Sequence, residues 1–320
     1  MTHLFLREDV TGMGEYPFDP GNISYRVAKF NGIKTDIFPC VSAFVGGDIV
    51  SGMYAMNMDK DDKHTNLLID LGTNGEMVIG DGMHFLATAT AAGPAFEAVG
   101  ISCGMPGITG AINDIKLTPF GSEGDRVTIT RSVIRDGNGV MPPPRGICGS
   151  GLIATVSELV RLGLVNKDGT FTNDLLRKKG FTVYYAGPYE KNLVLSQDDV
   201  RQILVAKAAV SAGIKVLLDK WMSEDGHKAP DRVYLAGGFG DGIDLEAAVR
   251  IGLIPPEWKD ITKPVGNTSL WGTEKLLRAL LSGDEEEGNR VIWLAGSTKV
   301  INLAMEVEFD KQFVKEMHYE

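Results

Sequence analysis

The chain has 320 residues, 43% of them hydrophobic, enough for two sizeable cores. It carries 32 Lys and Arg against 42 Asp and Glu, and a formal net charge of −10 argues against general binding to a nucleic-acid polyanion. No apolar stretch reaches the roughly 18 uninterrupted residues of a membrane span, and the N-terminus lacks a signal pattern, so a soluble cytoplasmic protein is expected. The three cysteines, Cys40, Cys103 and Cys148, are odd in number and far apart, which argues against an iron–sulfur centre built within the chain.

Residues 1–61 are turn-rich, with TGMGEYPFDPG preceding the strand-like runs ISYRVAKF and TDIFPCVSAFVGGDIVSGM. Gly46, Gly47 and Asp48 open a short predicted helix over 49–53, with Asp48 in the first turn, where the helix dipole favours an acid. Asp48 serves there either as a cap alone or as a carboxylate turned to a site. The following MDKDDKHT, residues 58–65, reads as a solvated hinge or loop between lobes.

LLIDLGTNGEMVIG, residues 67–80, reads as an apolar strand ending at Asp70, a tight turn, and a second strand resuming at Glu76. Gly72 and Gly75 are expected at positive φ, with Thr73 and Asn74 at the tip. Asn74-Gly75 alone fits a plain type I′ hairpin turn, and the same turn can also aim N–H groups and a hydroxyl at a phosphate. Next, Gly93-Pro94 leads to a helix start with Glu97 in its first turns, and 125–133 reads as a strand.

GICGSGLIATVSELVRLGLV predicts a helix whose Leu152, Val156, Leu159 and Val160 share one apolar face, with Gly163 as its stop. Gly149 and Ser150 at its start form either an anion site or, with Ser150 as N-cap, an ordinary helix beginning. Cys148 reads as a small packing residue under that loop rather than a reactive thiol. A capping box at Ser196 opens a second helix that runs past Trp221. The polar loop SEDGHKAPD then leads to the strand RVYLAGGFG and a helix over 245–251. This α/β crossover places ligands at the carboxyl end of the strand, at Gly237, Gly238, Phe239 and Gly240. The last segment holds a helix after Gly266-Asn267-Thr268-Ser269 and an acidic run, GDEEEG, that reads as a solvated loop.

With these pieces in order, the chain resembles the C-terminal ATPase region of the reductive activators of corrinoid-dependent methyltransferases, members of the acetate and sugar kinase, Hsp70 and actin (ASKHA) superfamily. The matching runs are MTHLFL, PFDP, SAFVGGDIVSGM, LLIDLGTNGEMVIG, TAAGPAFEA, GICGSGLI, YLAGGFG and VGNTSLWG, spread over nearly the whole chain. The resemblance implies a two-lobed α/β fold, actin/Hsp70/acetate-kinase-like and ribonuclease H-like. Residues 1–66 would form a partial first lobe with hinge and 67–320 the second, with 262–320 returning toward the first. It implies ATP and Mg²⁺ in the cleft, with Asp70, Glu76 and Asp48 in catalytic positions and Asp70 holding Mg²⁺ through water. Gly72, Thr73, Asn74 and Gly75 would cradle the β- and γ-phosphates, Gly149 and Ser150 would add an anion site, and Gly237, Gly238, Phe239 and Gly240 would line the adenosine pocket. The expected task is to drive one-electron reduction of a Co(II) corrinoid protein to Co(I), with that corrinoid protein and a second copy as partners. An iron–sulfur cluster is expected only in a domain missing from this chain, which begins late in the family pattern and reads as either a fragment or a natural short form. A small-molecule kinase of the same superfamily and a docking scaffold that does no catalysis are the competing readings.

Overall fold

The computed structural model describes residues 26–30, 33–120, 126–188, 190–237 and 242–319. The runs MTHLFL and PFDP lie outside them, as do the site expectations for Gly238, Phe239 and Gly240. An antiparallel pair, β1 (Arg26–Phe30) and β2 (Ile33–Ile37), precedes helix α1 (Gly47–Ala55). Strands β3 (Asn66–Leu71), β4 (Gly75–Gly80) and β5 (Phe85–Thr90) form a meander, and β6 (Ala111–Phe120), β7 (Arg126–Val133) and β8 (Gly146–Ile147) a second sheet. Helices α2 (Gly149–Arg161) and α3 (Asp174–Lys179) lead to the hairpin of β9 (Phe181–Tyr184) and β10 (Leu193–Leu195). The long α4 (Gln197–Met222) follows, opened by a capping box in which Ser196 and Asp199 bond each other's backbone amides, as the sequence predicts.

The central sheet is completed by β11 (Arg232–Gly237), β12 (Thr262–Gly266) and β13 (Thr298–Ile301), in the order β12-β11-β3-β4-β5-β13. Every neighbouring pair is parallel except those made by β4, which runs against both β3 and β5. Between the last three strands lie α5 (Leu245–Arg250), α6 (Thr268–Leu281) and α7 (Glu286–Ser297), and α8 (Val307–Glu316) closes the chain against α4.

Strand alternation divides the core. Leu67, Ile69, Leu71, Met77 and Ile79 face the larger cluster with α2 and α4, whereas Leu68 and Val78 face the other side with Ile49 and Met53 of α1, Leu276 of α6 and Val291 of α7. Helices α1 and α6 approach so closely that a Cβ on Gly272 would lie 2.1 Å from the Ser51 carbonyl oxygen. The Ser51 hydroxyl donates to the Ser269 carbonyl at 2.7 Å across the same contact.

Two charged runs differ from the sequence expectation of plain solvated loops. Asp59 is 8% exposed and pairs with Arg290, which is 10% exposed, with Nη2 to Oδ1 at 2.5 Å. Asp61 accepts from Arg232 Nη1 at 2.8 Å. Glu287, from the run GDEEEG, accepts from the Tyr54 hydroxyl at 2.5 Å and from Arg290 Nη1 at 2.9 Å. These acids are structural because partners far away in sequence, Arg290 for Asp59, Arg232 for Asp61 and Tyr54 for Glu287, fold over them.

Candidate functional site

Period-2 alternation puts Asp70 and Glu76 on the α1 side of the sheet, the face of Leu68 and Val78. They are directly paired across β3 and β4. The N-terminus of α1 brings Asp48 to them, held by a hydrogen bond from the Ile49 amide to Oδ1 at 2.9 Å. Burial, followed by the charge of Asp48, raises the Asp70 carboxyl to about 7. Burial, the Asp48 charge and a hydrogen bond to Asp48 raise Glu76 to about 9, against an opposing contact from the Gly46 backbone. Glu76 therefore holds a proton at neutral pH and donates it to Asp48. The three carboxylates that the sequence nominates as catalytic are thus gathered at one place.

The loop between β3 and β4 is three residues, Gly72 to Asn74, with Leu71 opposite Gly75. This corrects two expectations: neither Gly72 nor Gly75 has positive φ, and the turn is not type I′. The Gly72 amide donates to the Asn74 carbonyl at 2.9 Å, and the Thr73 hydroxyl donates to Glu97 at 2.5 Å. Gly75 is small for packing reasons, since a Cβ there would lie 3.0 Å from Val210 and 3.1 Å from Thr90. Glu97 ends a single 3-10 turn, Pro94–Glu97, rather than beginning a longer helix.

Beside this loop is a cavity of about 500 Å³, within the size range of small-molecule sites. Leu71, Phe96 and Ile134 give it apolar walls, and Glu97, Asn113 and Ser150 give it polar ones. Gly149 and Ser150 reach it from the first turn of α2, whose N-cap is Cys148 and not Ser150 as the plain reading expected. The Ser150 hydroxyl instead donates to the Asn113 carbonyl at 3.0 Å, because β6 runs alongside the helix start. Cys148 is buried, with Sγ 3.4 Å from the Ile112 carbonyl, in the packing role expected of it. Asn113, missed by sequence reasoning, carries a buried side-chain oxygen without a hydrogen-bond partner. No local pattern announces it.

Gly237 ends β11 alongside Leu71 at φ +129°, where a Cβ would meet the Leu71 carbonyl oxygen at 2.3 Å. Only glycine fits both that conformation and that approach. The two glycine-bearing strands of the sequence are therefore neighbours, and Gly242, just beyond β11, lines the cavity.

The sequence that carries these strands and turns matches a known family. A model of the C-terminal ASKHA domain of RACo matches residues 64–320, and one of the RACo middle region matches residues 1–61. The chain belongs to the RACo family. Corrinoid activation enzyme RamQ of Eubacterium limosum is 30% identical over 344 aligned positions, covering 98% of this chain and 53% of RamQ. A [Co(II) methylated amine-specific corrinoid protein] reductase of Methanosarcina barkeri is 29% identical, over 72% of this chain and 42% of the reductase. A solved reductive activator for corrinoid, iron–sulfur protein superposes with a TM-score of 0.78 at 33% identity, over 89% of this chain and 44% of that one. The chain spans about half the length of the relatives it matches, and the ASKHA fold class read from the sequence is that of the RACo match. Among the described residues no helix is long and apolar enough to cross a membrane.

Proposed function

We propose that this chain is the ATP-binding region of a cytoplasmic reductive activator that drives a corrinoid protein from Co(II) to Co(I). The observation that carries the reading is the 500 Å³ cavity set between the β3–β4 loop and the start of α2, while the Asp48, Asp70 and Glu76 cluster lies on the α1 face of the same two strands. The residues fit a nucleotide. Asn113 lines the cavity and keeps its side-chain oxygen buried and unpaired behind that wall, the first turn of α2 has N–H groups suited to phosphate, and Gly242 leaves bare backbone at the wall beyond β11.

In this reading Gly149 and Ser150 bind phosphate through backbone N–H groups, and the Gly72 to Gly75 loop orients the terminal phosphates. Asp70 holds Mg²⁺ through water, with Asp48 and Glu76 beside it. Glu76 is hydrogen-bonded to Asp48 and directly opposite Asp70 across the strand pair, an all-oxygen set of the kind a small hard cation takes with part of its water. Hydrolysis of the bound nucleotide supplies the free energy for an uphill one-electron step, and Asp70 and Glu76 tune the charge and position of the water and metal there. The electron comes from an iron–sulfur group outside this chain.

Calorimetric titration of ATP with and without Mg²⁺, paired with thermal melts, tests the reading. Saturable, Mg²⁺-dependent binding that Asn113→Leu weakens by blocking the cavity is the expected result. No binding at millimolar ATP overturns it.

A further inference from the structure

At the opposite end of β4 from Glu76, the geometry points to a second site: Asp81, His84 and His227 form a centre for a late first-row divalent cation such as Zn²⁺. It does not rest on the nucleotide reading. One ligand atom from each residue lies within 4.8 Å of the others, and this is the group of that kind found among the described residues.

The three come from two segments that only the fold unites. Asp81 and His84 lie in the tight turn between β4 and β5, and His227 in the loop that carries the chain from α4 to β11. Asp81 Oδ1 is occupied by the Met83 and His84 amides at 3.0 and 2.8 Å. That leaves Oδ2 facing His84 Nδ1 at 3.3 Å and His227 Nε2 at 3.9 Å.

His227 is held as metal-bound histidines are. Its ring stacks on Trp221 with centroids 3.7 Å apart and planes 4° from parallel, and the side chain is 10% exposed. Nδ1 lies 3.1 Å from the Trp221 carbonyl, an acceptor only, so Nδ1 carries the hydrogen and Nε2 presents its lone pair. Glu224 stands 3.9 Å from the same Nδ1.

A lone pair thus faces a carboxylate oxygen at a separation too long for a hydrogen bond. Two acceptors so placed call for something between them that satisfies both, a metal ion, a proton or a bridging water. Ligands at metal distances of 2.0–2.1 Å sit roughly 3.3 Å apart in a tetrahedron, the spacing of Asp81 Oδ2 and His84 Nδ1, and the 3.9 Å to His227 Nε2 needs only a small side-chain shift to reach it. Two imidazoles and one carboxylate match the preferences of Zn²⁺, Ni²⁺ or Co²⁺ rather than Mg²⁺ or Ca²⁺. A cavity of about 30 Å³ lined by His84, His227 and Glu224 leaves room for one water as a further ligand. An ion there would pin the β4–β5 turn to the loop that delivers β11, a clamp at the end of the sheet away from the carboxylate cluster.

The test uses the tag-free, metal-stripped full chain, with Zn²⁺ followed by equilibrium dialysis and Co²⁺ by visible absorption. One ion per chain and a raised melting temperature are expected. His84→Ala removes an exposed side chain and leaves the fold intact, and with Asp81→Asn it should weaken binding at least about tenfold. Asp70→Asn should leave it unchanged. Absence of stoichiometric binding, or binding that survives His84→Ala and Asp81→Asn, overturns the site and leaves a proton-held histidine–aspartate pair. Loss in Asp70→Asn with retention in His84→Ala would place the ion at the carboxylate cluster and overturn this site while the nucleotide reading stands.

Discussion

Asp70 and Glu76 are directly opposed residues of one antiparallel pair, both aimed at the Asp48 that begins α1, and both hold their protons far above ordinary carboxylate pH. Because their folded pKa values are raised above the unfolded ones, the native state binds these protons more tightly than the unfolded chain. Their contribution to stability is therefore complete below about pH 4 and is lost as pH rises through about 7 for Asp70 and about 9 for Glu76. Without divalent cation, denaturant titrations at pH 5.5, 7 and 8.5 should show stability falling by up to about 1.4 kcal/mol per pH unit for each proton released. Asp70→Asn and Glu76→Gln should flatten that fall and be more stable than the parent at pH 8.5. Equal slopes in parent and variants would contradict the assignment.

Mg²⁺ should act against the same protons. Binding of the cation in the presence of ATP is expected to tighten with rising pH and to release protons, seen as a buffer-dependent heat in calorimetry. Asp70→Asn should weaken Mg²⁺ by about tenfold, or ~1.4 kcal/mol, while affinity for metal-free ATP changes little. An Asp70→Asn variant with unchanged Mg²⁺ affinity would remove Asp70 from the metal's surroundings.

Arg290 binds Asp59 and Glu287 together under α1. Arg290→Ala leaves Asp59 buried and unpaired and should cost about 3–5 kcal/mol in denaturant titration. Tyr54→Phe, which removes the hydroxyl donor to Glu287, should cost about 1–2 kcal/mol. Burial acts to raise the Glu287 carboxyl, but the Tyr54 and Arg290 hydrogen bonds outweigh it and bring it down to about 2. Its contribution is thus present above pH 4.5 and lost only in stronger acid.

Gly272→Ala should destabilise by about 1–3 kcal/mol, because the new methyl group meets the backbone of Ser51 and not a yielding side chain. Since α1 also carries Asp48, the same variant should weaken Mg²⁺-dependent nucleotide binding more than it weakens binding of metal-free ATP. An unchanged melting temperature would show that α1 and α6 can part without cost.

The elements easiest to read were those whose signals are local. The Ser196 capping box, the apolar face of Leu152, Val156 and Leu159, and the strand ending at Asp70 each lie within a few residues of their cause. Asp48 was visible as a helix-start acid, but its contact with Glu76 depends on how α1 crosses the sheet. The conformation of Gly72 and Gly75 was misread because Asn74-Gly75 is a strong hairpin signal, whereas Gly75 is kept small by Val210 and Thr90. Asp59 and Glu287 looked solvated since Arg290 and Tyr54 meet them only in the tertiary fold. Asn113, His84 and His227 carry no pattern at all, because their meaning resides in what faces them.

The central placing of β3 beside β11 has a consequence for how the chain is made. Residues 72–231 lie between these two strands, so the pair can close only after the second sheet, α2 and α4 have been synthesised. Until Arg232–Gly237 arrives, the edge of β3 stands open with Leu67, Leu68 and Ile69 unpaired on that side, an invitation to neighbouring nascent chains. The strand that ends beside Leu71 at the candidate site is also the one that ends this period of exposure.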